Sequence, residues 1–125
     1  MTSRAGSAAE SLKTTQELVV LDRQRLRDLT DGDAEFEREL IETFVASARV
    51  LLAELRAGLM ARNAAAVTKD AHALKGVSLN VGATSMAKCA AELEMAARAG
   101  KIGPIDLVLE QLRSEEHALW AELAR

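Results

Sequence analysis

The sequence predicts an all-α protein, an antiparallel up-down-up-down four-helix bundle with a short additional N-terminal helix. Nearly half of the 125 residues are apolar, only 2% are aromatic, and there is a single proline. This composition is typical of helices that pack through aliphatic side chains. Apolar residues recur at helical spacing along four segments. Connections of only a few residues join these segments, which places consecutive helices antiparallel.

The N-terminal part of the chain precedes the bundle. Residues 1–16 are small and polar, and we expect this segment to be disordered, with the folded domain over residues 17–125. A short helix is predicted from about residue 21 to residue 29. The sequence Asp31-Gly32 ends it, since both residue types favour turns.

The two central helices have clear start and stop signals. Asp33 is a good N-cap for a long helix that runs to about Met60. Asn63 is a good cap for the next helix, and Gly82 ends that helix as a left-handed residue. The apolar stripe of the long helix consists of Phe36, Leu40, Ile41, Phe44, Val45, Ala48, Leu51, Leu52, Leu55 and Leu59.

The last two helices follow the same logic. One begins at Ala83 or Thr84 and ends at Gly100, and the other opens at Gly103-Pro104, because proline is best tolerated in a first turn. The inward face of the former consists of Met86, Cys89, Ala90, Leu93 and Ala97. The stripe of the latter consists of Ile105, Val108, Leu109, Leu112, Leu119 and Leu123.

Composition also excludes several classes of function. The net charge is −3 and there is no basic stripe, so nucleic acid and acidic membrane surfaces are not expected partners. Cys89 is the only cysteine, so we expect a buried small hydrophobic residue rather than a disulfide or a cysteine metal cluster. No apolar run reaches the length of a membrane span, and the N-terminus lacks the apolar stretch of a signal peptide. A cytoplasmic protein is predicted.

His72 is the most informative residue of the sequence. At about 100° per residue, it lies roughly 160° from Leu74, which marks the apolar face of its helix. The residues predicted around Leu74 are Val67, Asp70, Ala71, Val77, Ser78 and Val81. The residues predicted around His72 are Ala65, Thr68, Lys69, Lys75, Gly76 and Leu79. The imidazole is therefore expected to face solvent.

The neighbours of His72 suit phosphoryl transfer. A solvated imidazole is largely neutral near neutral pH and can attack phosphorus. Lys75 and Lys69 lie one turn to either side and can offset phosphate charge, since such transfer depends on positioning and charge stabilisation. Gly76 leaves space beside the imidazole, although a glycine inside a helix costs about 1 kcal/mol relative to alanine.

The histidines also allow other interpretations. A lone exposed histidine is more often an inert surface residue. Metal binding is not supported, because no carboxylate lies four residues from His72 on its face. Ser78 points towards the core and Asp70 lies off the His72 face, which argues against a Ser/His/Asp arrangement. No glycine-rich phosphate loop is present, so any phosphoryl group must come from another molecule.

The second histidine illustrates the inert case. His117 also lies away from the apolar stripe of its helix, but Trp120 follows it and the acidic pair Glu115-Glu116 precedes it. We interpret His117 as a surface residue. The two glutamates fall towards the apolar stripe, and the sequence offers no explanation for them.

The segment AHALKGVSLNVGATSMAKCAAELE resembles the signature of the histidine-containing phosphotransfer (Hpt) domain family. That pattern is roughly H-x-L-K-G-x-S-x-x-x-G-A, followed by a leucine, a cysteine and L-E on the next helix. Met86 stands where leucine is usual, which conserves volume. With the upstream LD and DAEFERELIETF stretches, the resemblance spans about residues 20–124. The matching residues are His72, Leu74, Lys75, Gly76, Ser78, Gly82, Ala83, Cys89, Leu93 and Glu94.

The resemblance implies a function for these residues. His72 would be the phosphoacceptor that takes a phosphoryl group from an aspartate of one receiver domain and passes it to another. Lys75 would support the phosphate and Gly76 would clear room for the partner, while Gly82 and Ala83 would form a helix turn packed close to the active helix. Ser78 is taken as a structural residue near the site. The chain itself is expected to hold no cofactor or metal, because the Mg²⁺ would belong to the receiver.

The expected partners are response-regulator receiver domains and a hybrid sensor histidine kinase. Ala65 and Leu79 would form an apolar rim for docking, together with Thr68 and Lys69. Two alternatives stay open at this point: a non-catalytic helical adaptor that uses the same surface, and a domain excised from a larger hybrid kinase. A monomer is the default expectation, since one chain can satisfy its own apolar stripes.

Overall fold

The computed structural model describes residues 19–125, which form five helices and contain no strand. The helices are α1 Arg23–Thr30, α2 Ala34–Met60, α3 Ala64–Val81, α4 Thr84–Arg98 and α5 Ile105–Leu123. The all-α prediction is confirmed for this part of the chain. The segment 1–16, predicted to be disordered, lies outside the described residues, as does the predicted start of the domain at residue 17. Within 19–125, no helix combines the length and apolar character that a membrane crossing requires.

Short polar side chains set the helix starts. Asp22, Asp33 and Asn63 each accept hydrogen bonds from backbone N–H groups in the first turn of α1, α2 and α3. These bonds satisfy donors that a helix start otherwise leaves unpaired. The starts of α4 at Ala83 and of α5 at Pro104 have no side-chain cap. The caps predicted at Asp33 and Asn63 are confirmed.

The core is aliphatic apart from Phe44, and it draws on all five helices. Phe36, at the start of the stripe predicted for α2, is 47% exposed. The buried residues of that stripe are Phe44, Ala48, Leu52, Leu55 and Leu59. The inclusion of Phe36 in the stripe was therefore wrong, because the first turn of α2 extends beyond the core. Cys89 is half-buried rather than buried. The core residues are Leu21, Leu26, Phe44, Ala48, Leu52, Leu55, Leu59, Val67, Ala71, Leu74, Val81, Ala83, Met86, Ala90, Leu93, Ala97, Leu112 and Leu119.

The turn between α3 and α4 packs against the start of α1. Gly82 has a φ of +83°, and a Cβ there would lie 3.0 Å from the carbonyl oxygen of Asp22. The backbone N–H of Asp22 donates to the Gly82 carbonyl at 2.7 Å. Arg25 Nε donates to the Leu79 carbonyl at 3.0 Å. The beginning of α1 is therefore tied to the end of the His72 helix.

The two glutamates of α5 that the sequence did not explain make polar contacts with other helices. Glu116 accepts from Arg56 of α2 at 2.6 Å and from the indole N–H of Trp120 at 3.1 Å. Glu115 accepts from the hydroxyl of Ser85 in α4 at 2.7 Å. These bonds connect α5 to α2 and to α4, and they account for acidic residues beside an apolar stripe.

Candidate functional site

The structure places His72 on the exposed face of α3. The opposite face is buried through Val67, Asp70, Ala71, Leu74, Ser78 and Val81. The side chain of His72 is 64% exposed. The orientation predicted for the imidazole is confirmed.

A carboxylate from the next helix supports the imidazole. Glu94 of α4 is only 8% exposed, and its Oε2 lies 3.0 Å from His72 Nδ1. Its other oxygen, Oε1, accepts from Lys75 Nζ at 3.0 Å. Arg98, one turn later on α4, donates to Oε2 through Nη2 at 2.8 Å. One carboxylate thus binds three nitrogen-bearing side chains.

The charge state of Glu94 determines the form of His72. The hydrogen bond from Arg98, followed by that from Lys75, lowers the pKa of Glu94 to about 2, although burial opposes this shift. At neutral pH the side chain is therefore a carboxylate, which can only accept hydrogen bonds. In neutral His72 the proton must then reside on Nδ1, which leaves the lone pair of Nε2 free. This tautomer makes Nε2 the nucleophilic nitrogen.

Small residues between α3 and α4 bring the carboxylate within reach. Ala71 on α3 and Ala90 and Ala97 on α4 are buried, with at most 3% of their surface exposed. Their short side chains allow the two helices to approach closely. Glu94 follows Ala90 by four residues, so it lies on the same side of α4 as these alanines, and its side chain reaches α3. Arg98 follows at the i+4 spacing that pairs side chains on one helix face.

The predicted partner-binding residues lie on the same side of α3 as His72. Ala65, Lys69 and Leu79 are exposed, and 51% of Leu79 faces solvent. Thr68 is half-buried, and its hydroxyl donates to the carbonyl of Ala64. The structure therefore gathers the four residues on one face, whereas their role in docking stays a prediction.

Gly76 has open space around it. Apart from its two chain neighbours and the backbone of its own helix, a Cβ added at Gly76 would meet no atom within 4 Å. Nothing within the described fold therefore requires a glycine at this position. The proposed role as an access residue stays a prediction that only a partner can test.

The residues predicted to be structural lie beneath the site. Ser78, Gly82 and Ala83 are buried, and the N–H of Ala83 donates to the carbonyl of Ser78 at 2.8 Å. This bond satisfies one carbonyl at the end of α3. The Ser78 hydroxyl has no hydrogen-bond partner within residues 19–125, and it is not directed at His72. A Ser/His pair is therefore absent from the described structure.

Glu94 and Arg98 are site residues that the sequence alone does not reveal. The family pattern includes Glu94 but gives it no role, and it does not include Arg98. One pattern in the sequence could have indicated them. Glu94 and Arg98 are four residues apart and Glu94 follows Leu93, which places an acidic and a basic side chain together at the edge of a buried helix face.

The other candidate nucleophiles lack this support. Burial, and then the negative charges of Glu115 and Glu92, raise the pKa of Cys89 to about 12, so its thiol stays protonated at neutral pH. His117 is exposed and lines an open groove of about 450 Å³ with Arg56 and its neighbours. Within the described part of the chain, no group of three or more potential metal ligands lies close together.

Comparison with known proteins agrees with this geometry. The family model described as "Hpt domain" matches residues 39–122. Among solved structures, the chain is similar to histidine-containing phosphotransfer protein B from Pseudomonas aeruginosa PAO1, with 32% sequence identity and a TM-score of 0.72. The match covers 82% of this chain and 90% of that chain. No curated protein matches the sequence.

Proposed function

The chain belongs to the Hpt domain family, and from this premise we propose that it carries phosphoryl groups in a phosphorelay on His72. It accepts the group from an aspartate of one receiver domain, in a hybrid sensor kinase or a response regulator, and passes it to another. The observation that carries the proposal is the contact between His72 Nδ1 and Glu94 Oε2 at 3.0 Å. This contact directs the free lone pair of Nε2 to solvent, where a receiver can reach it.

The proposed step is a direct displacement at phosphorus. The Nε2 lone pair forms the N–P bond while the P–O bond to the aspartate breaks, and its electron pair remains on the aspartate carboxylate. As His72 attacks, its ring gains positive charge, which the carboxylate of Glu94 stabilises. Transfer to the second receiver is the reverse reaction. We expect Mg²⁺ on the receiver, where it would neutralise the phosphoryl oxygens.

Two neighbours on α3 complete the proposed machinery. Lys75 lies one turn beyond His72 and carries a flexible cationic side chain suited to a mobile phosphoryl group. Gly76 presents no side chain beside the imidazole, so the receiver can approach closely. We assign phosphate stabilisation to Lys75 and access to Gly76.

The docking surface is inferred from exposure around His72. Ala65, Thr68 and Lys69 lie before the imidazole on α3, and Leu79 lies two turns beyond it. An exposed apolar residue at each end of this row fits a partner that covers the imidazole and excludes water. We therefore propose that receiver domains dock on the four residues.

The finer features of the fold belong to the same proposal. We infer that α2 to α5 run up-down-up-down, because only residues 61–63, 82–83 and 99–104 connect them. The contact of Asp22 with Gly82 and that of Arg23 with Glu122 support an α1 that lies across one end of the bundle. The monomeric state and the cytoplasmic location stay predictions.

The two histidines provide the test. The protein and its His72→Gln and His117→Gln variants are incubated with a receiver domain that carries a radiolabelled phosphoryl group. We expect labelling of the native protein and of His117→Gln, as acid-labile and base-stable phosphate, and none of His72→Gln. Equal labelling of His72→Gln contradicts the proposal. Binding of the receiver without any labelling supports the non-catalytic adaptor instead.

A further inference from the structure

The three partners of Glu94 do not share its oxygens equally. Lys75 alone occupies Oε1, at 3.0 Å. His72 and Arg98 both occupy Oε2, at 3.0 Å and 2.8 Å. Before phosphorylation, the ammonium group of Lys75 is therefore bound to a carboxylate rather than free to meet a phosphoryl group.

Phosphorylation of His72 gives Lys75 a second anionic group to bind besides Glu94. A phosphoryl group on Nε2 adds close to two negative charges one helical turn from Lys75. Attack through Nε2 makes the ring cationic, and the ring becomes neutral again when Nδ1 loses its proton to solvent. Oε2 of Glu94 then keeps only its bond from Arg98, while Lys75 on Oε1 is attracted to the new negative charge.

The release of Lys75 requires that Glu94 keep a cation. Glu94 is almost fully buried, and a buried carboxylate without a charged partner is strongly disfavoured. Arg98 supplies that partner from the same helix, through Nη2 at 2.8 Å and Nε at 3.3 Å. These hydrogen bonds form within α4, so they do not depend on the position of Lys75 on α3.

We propose that Arg98 is a positioning residue that holds Glu94 in place while Lys75 moves from Glu94 to the phosphoryl group on His72. Without Arg98, Lys75 is the only cation left to Glu94 and remains bound to it. The inference rests on His72 being the acceptor, but it does not require a particular receiver. A direct contact of Arg98 with the phosphoryl group is the competing explanation.

The test uses phosphoramidate, a small phosphoryl donor that needs no protein partner. Nε2 forms the N–P bond while the P–N bond of the donor breaks and ammonia leaves. The second pKa of the phosphoryl group is then measured by ³¹P NMR titration, because a nearby cation lowers it. A cation about 4 Å away in water-like screening lowers such a pKa by about 0.7 unit.

Four variants separate the two explanations. In Lys75→Gln we expect the phosphoryl pKa to rise by about 0.7 unit, and in Arg98→Gln by nearly as much. The phosphoryl pKa of the double variant should be no higher than that of Lys75→Gln, and Arg98→Lys should restore the native pKa. Lys88→Gln, which removes the i,i+4 pair with Glu92 on α4, is the matched control and should leave the phosphoryl pKa unchanged.

Each other outcome counts against the inference. An unchanged pKa in Arg98→Gln shows that Lys75 moves without help, and additive effects in the double variant show that Arg98 contacts the phosphoryl group itself. Failure of phosphoramidate to label His72 removes the accessible Nε2 on which the inference rests. If phosphoramidate labels His72 but receivers do not, the proposed function fails while the role of Arg98 is still decided by the titration.

Discussion

Replacing Glu94 by glutamine tests how much the buried carboxylate contributes to the reactivity of His72. The substitution preserves the size and the hydrogen-bonding oxygen of the side chain but removes its charge. In Glu94→Gln the amide oxygen can still accept from Nδ1, so the tautomer of His72 should persist. The variant therefore separates the orientation of the ring from the electrostatic stabilisation of its developing positive charge.

The expected magnitude follows from distance and exposure. The carboxylate oxygen lies 3.0 Å from Nδ1, so a unit charge on the ring would be about 4 Å away. At this separation, a full unit charge on the ring would change the rate roughly fivefold with water-like screening and roughly a thousandfold with the screening typical of a protein surface. The imidazole is 64% exposed and gains only part of a charge in the transition state. We therefore expect a loss of about tenfold in rate.

The assay is the rate of His72 phosphorylation by phosphoramidate, measured at a pH where imidazole is neutral. Nitrogen-15 chemical shifts of the His72 ring report its tautomer in the same samples. The matched control is Glu92→Gln, which removes an exposed carboxylate from the same helix, two residues earlier. Rates of Glu94→Gln and native protein that agree within twofold, with the tautomer unchanged, would refute the electrostatic role of Glu94.

Three further predictions concern access, packing and pH. Gly76→Gln should slow transfer from a receiver domain about tenfold, but change labelling by the much smaller phosphoramidate less than twofold. The temperature of thermal unfolding should not fall, because a Cβ at this position meets open space and glutamine favours a helix more than glycine does. Gly82→Ala should lower the free energy of unfolding in urea by about 2–4 kcal/mol, since its Cβ would meet the Asp22 carbonyl at 3.0 Å in a left-handed conformation. Gly100→Ala, with φ of +69° but open space, should show only the backbone strain, about 1–2 kcal/mol. Because the pKa of Glu94 is lowered from 4.5 to about 2, its ionised form stabilises the fold above about pH 4.5. That stabilisation should be lost as the pH falls through 2, so urea midpoints of native protein and Glu94→Gln should converge between pH 5 and pH 2.

The features that could be predicted from the sequence are those that depend on neighbouring residues. A cap such as Asp33 or Asn63 acts on N–H groups two or three residues away, so its effect is visible in the sequence. The left-handed end of α3 at Gly82 is equally local. The exposed direction of His72 required only the periodicity of one helix. Each of these predictions is confirmed by the structure.

The contacts that were missed depend on how two helices are placed relative to each other. Glu94 is 22 residues from His72, and Glu116 is 60 residues from Arg56. The periodicity of each helix identifies its buried face, but it gives neither the height nor the rotation of one helix against the next. Phe36 was misjudged for the same reason, because periodicity does not indicate where the core ends along α2.

The two glycines of the family pattern in α3 and its turn have different physical causes. Gly82 is required by the fold itself, since its φ of +83° and its contact with Asp22 leave no room for a side chain. Gly76 has ordinary helical geometry and open space around it, so the described fold gains nothing from a glycine there and loses about 1 kcal/mol relative to alanine. A residue that costs stability and satisfies no internal constraint is best explained by something outside the chain. Because Gly76 lies one turn from the exposed side chain of His72, we expect that outside molecule to be the receiver domain of the proposed phosphoryl transfer.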